Sequence, residues 1–323
     1  MNAQFKSKLL KYRTEIDNRL SSIKHSGGNK TFFEPIRYSL KSKGKRIRPI
    51  LVLLTGEGFG LDFRELMPAA LAVEIMHTFT LVHDDIMDND THRRGMPTVH
   101  IKWDENKAIL TGDSLMALSF MTLMKLESPN IAGMGTEFSQ AMLEICEGQD
   151  MDLEFETKID VTCDQYLNMI TKKTGRLLGL CCQLGAMAAQ ASQEIVNELY
   201  NFGIELGQAF QIQDDLFEII SDEKKMGKSL GSDFTAGKKT FPLIHTISTM
   251  NKNDKKKFLS FIKKNSYNRE VIYSELKKRD SIKESEELIE QILNKARNRL
   301  QICPEKTRKD LENLIIYISN RQS

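Results

Sequence analysis

The chain has 323 residues, of which 46 are Lys or Arg and 44 are Asp or Glu, giving a formal net charge of +2 at pH 7. So even a balance removes any global electrostatic case for nucleic acid and leaves charge-based chemistry to local clusters. Hydrophobic residues at 40% suffice for a buried core, but no run of about 20 apolar residues exists that would span a bilayer.

The N-terminus, MNAQFKSKLLKYRTEIDNRL, mixes charged and apolar residues without an apolar signal core. Phe5, Leu9, Tyr12, Ile16, Leu20 and Ile23 recur at steps of three or four and predict an amphipathic helix over 2–24. Ser26-Gly27-Gly28-Asn29 breaks it. A short helix follows to Lys41, then the basic turn Lys43-Gly44-Lys45-Arg46-Ile47-Arg48-Pro49, whose proline suits the first position of the next helix. Residues 64–88 read as a long, almost wholly apolar and therefore central helix, and 89–101 as a polar, basic loop. Helical patterns cover 107–126, 132–156, 163–190 and 193–220. Residues 221–239 are the longest irregular stretch; more polar helices over 240–250, 254–264, 269–278, 280–300 and 305–320 complete the chain. No period-two strand pattern, tandem repeat or separating linker appears. The expectation is an all-α helical bundle around a central cavity, formed as one domain over 1–323. The five cysteines are odd in number and form no C-x-x-C pair, which reads as reduced thiols in a cytoplasmic protein.

Two acidic clusters stand out. His83-Asp84-Asp85-Ile86-Met87-Asp88 ends the apolar run AALAVEIMHTFTLV, with Asp84 and Asp88 four apart on one helical face. Gln211-Ile212-Gln213-Asp214-Asp215-Leu216-Phe217-Glu218 repeats the spacing at the end of another apolar helix. Carboxylates one turn apart repel, and the C-terminal end of a helix carries partial negative charge, so both places disfavour them unless a cation is bound. Hard oxygen ligands of this kind suit Mg²⁺, which takes one or two carboxylates, water and substrate phosphates. Two facing clusters with Mg²⁺ between them and a diphosphate is the natural arrangement. Glu74-x-x-His77 matches half of a di-iron bundle motif, but no second Glu-x-x-His is present.

A diphosphate needs cations around it, and Lys45, Arg48, Arg93, Arg94, Lys173, Lys228 and Lys238 fall in the segments beside the acidic clusters. Each alone reads as a solvated side chain; their grouping carries the signal. In their order, GKRIRP, LVHDDIMDNDTHRRG, KTG, FQIQDDLFE and GKSLGSDFTAGKKTFP closely resemble the motif set of the trans-isoprenyl diphosphate synthases. The resemblance runs from about residue 30 to 245, and the C-terminal helices carry no strong signature.

That resemblance implies an isoprenoid synthase fold, usually homodimeric, that joins an allylic diphosphate to isopentenyl diphosphate using three Mg²⁺ ions. It implies that Asp84 and Asp88 ligate metal with Asp85 in support, and that Asp214 ligates metal with Asp215 and Asp233 behind it. Arg93, Lys173, Lys228 and Lys238 take the place of contacts to the allylic diphosphate. Lys45, Arg48, His77 and Arg94 match the isopentenyl diphosphate pocket, and Thr174 and Gln211 match residues that stabilise the allylic cation. The second motif departs from the usual pattern in ending with Glu218 rather than Asp.

The implied reaction needs no protein nucleophile: the allylic C1–O bond breaks, the isopentenyl double bond attacks the cation, and the released diphosphate is the base. A class I terpene cyclase would not need Lys45, Arg48 and Arg94, and a non-catalytic subunit would have eroded acidic motifs. Phe79 and Thr80, five and four residues before Asp84, are expected to floor the chain tunnel and to favour a twenty-carbon product, with fifteen carbons next. His83 reads as helix-end structure. Met116, Met121 and Met124 read as helix core or cavity wall.

Overall fold

The computed structural model describes residues 3–23, 29–158, 160–220, 238–264 and 269–319. Apart from one hairpin, the regular structure among them is helical, as the periodicity requires. The chain forms two compact units, each discontinuous in sequence: 1–140, 180–200 and 300–314 in one, and 141–179, 201–299 and 315–323 in the other.

In the first unit, α1 (Ala3–Ser21) buries Phe5, Leu9, Tyr12, Ile16 and Leu20, the stripe its spacing predicts. Tyr12 donates to Glu57 of α3 (Ile47–Gly58) at 2.5 Å, fastening the two helices. Between them, α2 (Lys30–Leu40) is N-capped by Asn29, whose side chain accepts from the Thr31 N–H. α3 begins two residues before Pro49, which occupies its third position; N–H groups of a first turn have no intrahelical partner, so nothing is lost there. α4 (Met67–Met87) is buried along most of its length, and its small residues Ala69, Ala70 and Ala72 let neighbours approach closely. The polar loop expected over 89–101 contains a two-residue hairpin, His92–Arg93 against Met96–Pro97 (β1 and β2), and the short helix α5 (Val99–Lys102).

α4 packs extensively on α6 (Glu105–Leu123), where Gly112 leaves room for the His83 ring: a Cβ there would meet His83 Nε2 at 2.0 Å. His83 also lies 3.2 Å from the Ile109 carbonyl, a contact that fits the helix-end packing expected of it. The methionine expectation holds in part. Met116, Met121 and Met124 are exposed rather than core, Met121 by 56%, but Met121 lines a cavity of about 640 Å³ with Phe32, Phe33 and Leu118.

In the second unit, the helix expected over 163–190 is interrupted. α8 (Cys163–Ile170) opens with a reciprocal capping box between Thr162 and Gln165. Thr171–Gly175 is then a π-helical turn, and α9 (Arg176–Ala188) resumes. The wide turn directs Thr171 and Thr174 at α10 (Gln193–Ile220): Gln208 Nε2 donates to Thr171 Oγ1 at 2.6 Å, and Thr174 Oγ1 donates to Gln211 Oε1 at 3.0 Å. Glycines bring the backbones together here, since a Cβ on Gly207 would meet Gly175 Cα at 2.6 Å and one on Gly203 would meet the Leu178 carbonyl at 2.5 Å. Further along, α11 (Phe241–Ser248), α12 (Lys252–Lys264), α13 (Arg269–Lys278) and α14 (Ser281–Arg299) follow, and Ile219, Leu243, Ile247, Phe258, Ile272 and Leu276 form a common core. α15 (Glu305–Ser319) ends the described chain.

Candidate active site

Asp84 and Asp88 sit on the last turn of α4 and just past it, both partly exposed, at a helix end with no basic side chain in its final turn. Asp85 is different: it is 4% exposed and accepts from Arg93 Nε, while Arg93 Nη2 reaches Asp90 at 3.1 Å. Burial pushes the Asp85 carboxyl up to about 6 against the pull of Arg93. The second motif sorts in the same way. Asp214 is exposed, whereas Asp215 is 8% exposed and accepts from Tyr166 at 2.5 Å and from Gln211 Nε2 at 2.9 Å. Within each Asp-Asp pair, one carboxylate is buried and the other reaches solvent.

These outward carboxylates fit a divalent cation. They are hard oxygen donors, the helix-end field around Asp84 and Asp88 favours positive charge, and the neighbouring Arg93 is already engaged with Asp85 and Asp90. No group of three or more His, Cys, Asp or Glu side chains converges as a metal cage among the described residues. The half di-iron motif is accounted for differently, because both of its members face arginines. Glu74 accepts from Arg46 at 2.5 Å, and His77 lies against Arg48.

The basic turn supplies the other half of this unit's chemistry. Arg46 caps α3 from a left-handed conformation, φ 54°, and its buried guanidinium donates to Glu74, to Asp17 at 2.8 Å and to the Ser42 carbonyl at 2.8 Å. That grip fixes the turn from which Lys45, exposed, and Arg48, partly buried, project. Arg94, also at positive φ (52°), lays its guanidinium on Gly44, where a Cβ would meet Nη1 at 2.6 Å. Left-handed residues that are not glycine cost about 1–3 kcal/mol each and collect at functional sites. Here they aim two basic segments at one place. Tyr38 pins the loop further, donating to the Pro97 carbonyl at 2.7 Å.

Arg48 Nη1 lies 3.1 Å from His77 Nε2, so the imidazole accepts there and is neutral. Burial, then Arg48, Arg94, Arg93 and Arg46, hold its pKa well below the usual value of 6.5. Above pH 6.5 the ring is neutral in both the folded and unfolded chain. Below it, only the unfolded chain takes up the proton, so folding stability falls with pH. Urea midpoints measured from pH 7.5 to 5 are expected to drop more steeply for the wild type than for His77→Gln.

In the second unit Lys173, on the π-helical turn, pairs with the buried Asp152 of α7 (Ile131–Thr157), and a Cβ on Gly148 of α7 would meet the Lys173 nitrogen at 2.4 Å. Thr174, Gln211, Asp215 and Tyr166 form one continuous hydrogen-bonded chain. Lys238 is partly exposed just before α11; Lys228 and Asp233 lie outside the described residues. Sequence reasoning missed Arg46, Asp152 and Tyr166. Only the partial burial pattern of the helices around them could have raised them.

The fold is all-α and carries two carboxylate motifs of matched spacing, the first of them beside Arg93. The profile described as polyprenyl synthetase matches residues 29–278. The chain is 44% identical over 227 residues to a short chain isoprenyl diphosphate synthase of Methanocaldococcus jannaschii, covering 70% of this chain and 69% of that one. It is 42% identical over 235 residues to a geranylgeranyl diphosphate synthase of Saccharolobus solfataricus, covering 72% and 71%. The crystal structure of the geranylgeranyl pyrophosphate synthetase from Pyrococcus horikoshii superposes with a TM-score of 0.92 at 36% identity, covering 99% of each chain. The chain belongs to the polyprenyl synthetase family, and with it to the chain-elongating prenyltransferases that the motifs led us to expect.

Proposed function

We propose that this prenyltransferase joins isopentenyl diphosphate to an allylic diphosphate and stops at geranylgeranyl diphosphate, the whole chain acting as one catalytic domain. The names of its relatives support a short product, and one structural observation supports its length. Phe79, five residues before Asp84, is 7% exposed and packs edge-on against His83 at 5.0 Å, and His83 is itself seated against α6 at Gly112. A buried ring packed on a seated neighbour makes a firm stop for a growing chain, and Thr80 beside it bonds back to the His77 carbonyl at 2.9 Å. Phe79→Ala is expected to move the product to longer chains, read by chromatography of the dephosphorylated alcohols. A wild-type product of fifteen carbons would shorten the assignment, and one of thirty or more would overturn it.

Asp84, Asp88 and Asp214 would hold Mg²⁺, three ions on the family's pattern, with Asp85 and Asp215 supporting them. When bound, the metal supplies Lewis-acid neutralisation of the leaving diphosphate. Arg93, Lys173, Lys228 and Lys238 neutralise the same diphosphate. Thr174 and Gln211 present oxygen lone pairs to the allylic cation, and no water is admitted that would trap it. Lys45, Arg48, Arg94 and the neutral His77 hold isopentenyl diphosphate. Losing one charge-assisted hydrogen bond costs about 1.5–3 kcal/mol, or roughly 10–150-fold. Arg94→Ala is therefore expected to raise KM for isopentenyl diphosphate by that factor, and Lys228→Ala to raise it for the allylic substrate. Equal effects on both substrates would sink the assignment.

We place the enzyme in the cytoplasm as a homodimer. No helix among the described residues is long and apolar enough to cross a membrane, and all five cysteines are free thiols. Ile109, Leu110, Met116 and Met121 on α6, with Met124 just past its end, leave an exposed apolar face of the kind a second copy covers, which sedimentation of the purified chain tests.

A further inference from the structure

Tyr166 joins three segments that the sequence keeps far apart. It lies on α8, just before the π-helical turn that carries Lys173 and Thr174, and is 1% exposed. Its hydroxyl donates to Asp215 Oδ2 on α10 at 2.5 Å. The other carboxylate oxygen, Oδ1, accepts from Gln211 Nε2 at 2.9 Å, and Gln211 Oε1 accepts from Thr174 at 3.0 Å. The Phe241 ring at the start of α11 lies 6.1 Å from the tyrosine ring. Lys238 is three residues before Phe241 in the chain.

The direction of these bonds matters. A carboxylate can only accept, so Asp215 forces the Gln211 amide to turn its N–H₂ inward and its oxygen toward Thr174. A reversed amide would place positive hydrogens where an allylic cation needs lone pairs. Asp215 can impose that orientation only if it cannot rotate, and the second bond, from Tyr166, prevents rotation. The phenol stays a donor because burial, then the Asp215 charge, raises its pKa well above 10.

We propose that Tyr166 is a positioning residue for the ionisation step, its hydroxyl setting the orientation of Asp215 and through it the Gln211 and Thr174 oxygens, and tying them to the segment that carries Lys238. This rests on the reading of Gln211 and Thr174 as cation-stabilising groups.

Tyr166→Phe keeps the ring and removes only the hydroxyl. It is expected to lower kcat by roughly 10–100-fold, the effect of one hydrogen bond to a charged group, and to leave KM for isopentenyl diphosphate within about twofold. Ionisation alone is read as hydrolysis of geranyl diphosphate with the saturated analogue isopentyl diphosphate in the second pocket; it is expected to fall in proportion to kcat. In an Asp215→Asn background the same substitution is expected to add little, because the two side chains act as one unit. Wild-type ionisation by Tyr166→Phe, or a loss fully additive with Asp215→Asn, would overturn the proposal. Thr174→Val separates the two ideas: if it ionises substrate normally while Tyr166→Phe does not, the cation reading fails and Tyr166 acts through Asp215 alone.

Discussion

Asp84→Ala and Asp214→Ala are each expected to reduce condensation by about 10³-fold or more, equivalent to about 4 kcal/mol of transition-state stabilisation. These are the members of the two Asp-Asp pairs that reach solvent, while Asp85 and Asp215 are held by protein donors. Folding is expected to survive both changes. Asp84 stands one turn from Asp88 at a helix end whose field already opposes negative charge, so its removal relieves repulsion in metal-free protein. Isopentenyl incorporation at several Mg²⁺ concentrations, with a urea midpoint for each variant, tests the pair. Near-wild-type turnover of either variant at low Mg²⁺ would refute the assignment.

The second large effect is on stability. Arg46→Ala removes the cation from buried Glu74 and leaves that carboxylate uncompensated, which costs about 3–5 kcal/mol. Asp17 adds little to this figure, since it is more than a third exposed. The double variant Arg46→Met, Glu74→Leu is expected to recover most of the loss, because it leaves no buried charge behind. It is not expected to recover activity: without the grip on Glu74, Asp17 and the Ser42 carbonyl, the turn presenting Lys45 and Arg48 is no longer held. Urea unfolding and KM for isopentenyl diphosphate, measured on both variants, distinguish the two roles. An Arg46→Ala midpoint equal to wild type would show that the triad does not hold the turn.

Much of this was readable in the amino acids. Helix 193–220 was bounded correctly because apolar periodicity is continuous between clear polar flanks, and the aspartate pairs announced themselves by spacing alone. What stayed hidden depends on partners distant in the chain. In KGKRIRP every basic residue looks solvated, and only the fold shows that Arg46 turns inward to Glu74, 28 residues later. Tyr166 reads as one more core aromatic until Asp215, 49 residues away, meets its hydroxyl. The π-helical turn has no local signature, since TKKTG continues an ordinary helical pattern. It is imposed by α10, whose Gln208 and Gln211 draw the two threonines toward them. Met116 and Met124 are exposed where core or cavity wall was expected, because an apolar helical face signals burial of some kind without saying whether the cover comes from the same chain.

The glycine contacts between the π-helical turn and α10 bear on how the enzyme responds to heat and solvent. Where side chains separate two helices, rotamer changes let the gap breathe, and the distance between groups on either side drifts with it. At Gly175 and Gly207 the backbones touch, so there is nothing between them to rearrange. The backbones that carry Thr174 and Gln211 are thus held at a set distance, and the hydrogen-bonded chain from Tyr166 through Asp215 orients their side-chain oxygens. If the two oxygens face the allylic cation as proposed, little dipole reorientation is left to the ionisation step, and their separation is expected to change little across the temperature range in which the protein stays folded.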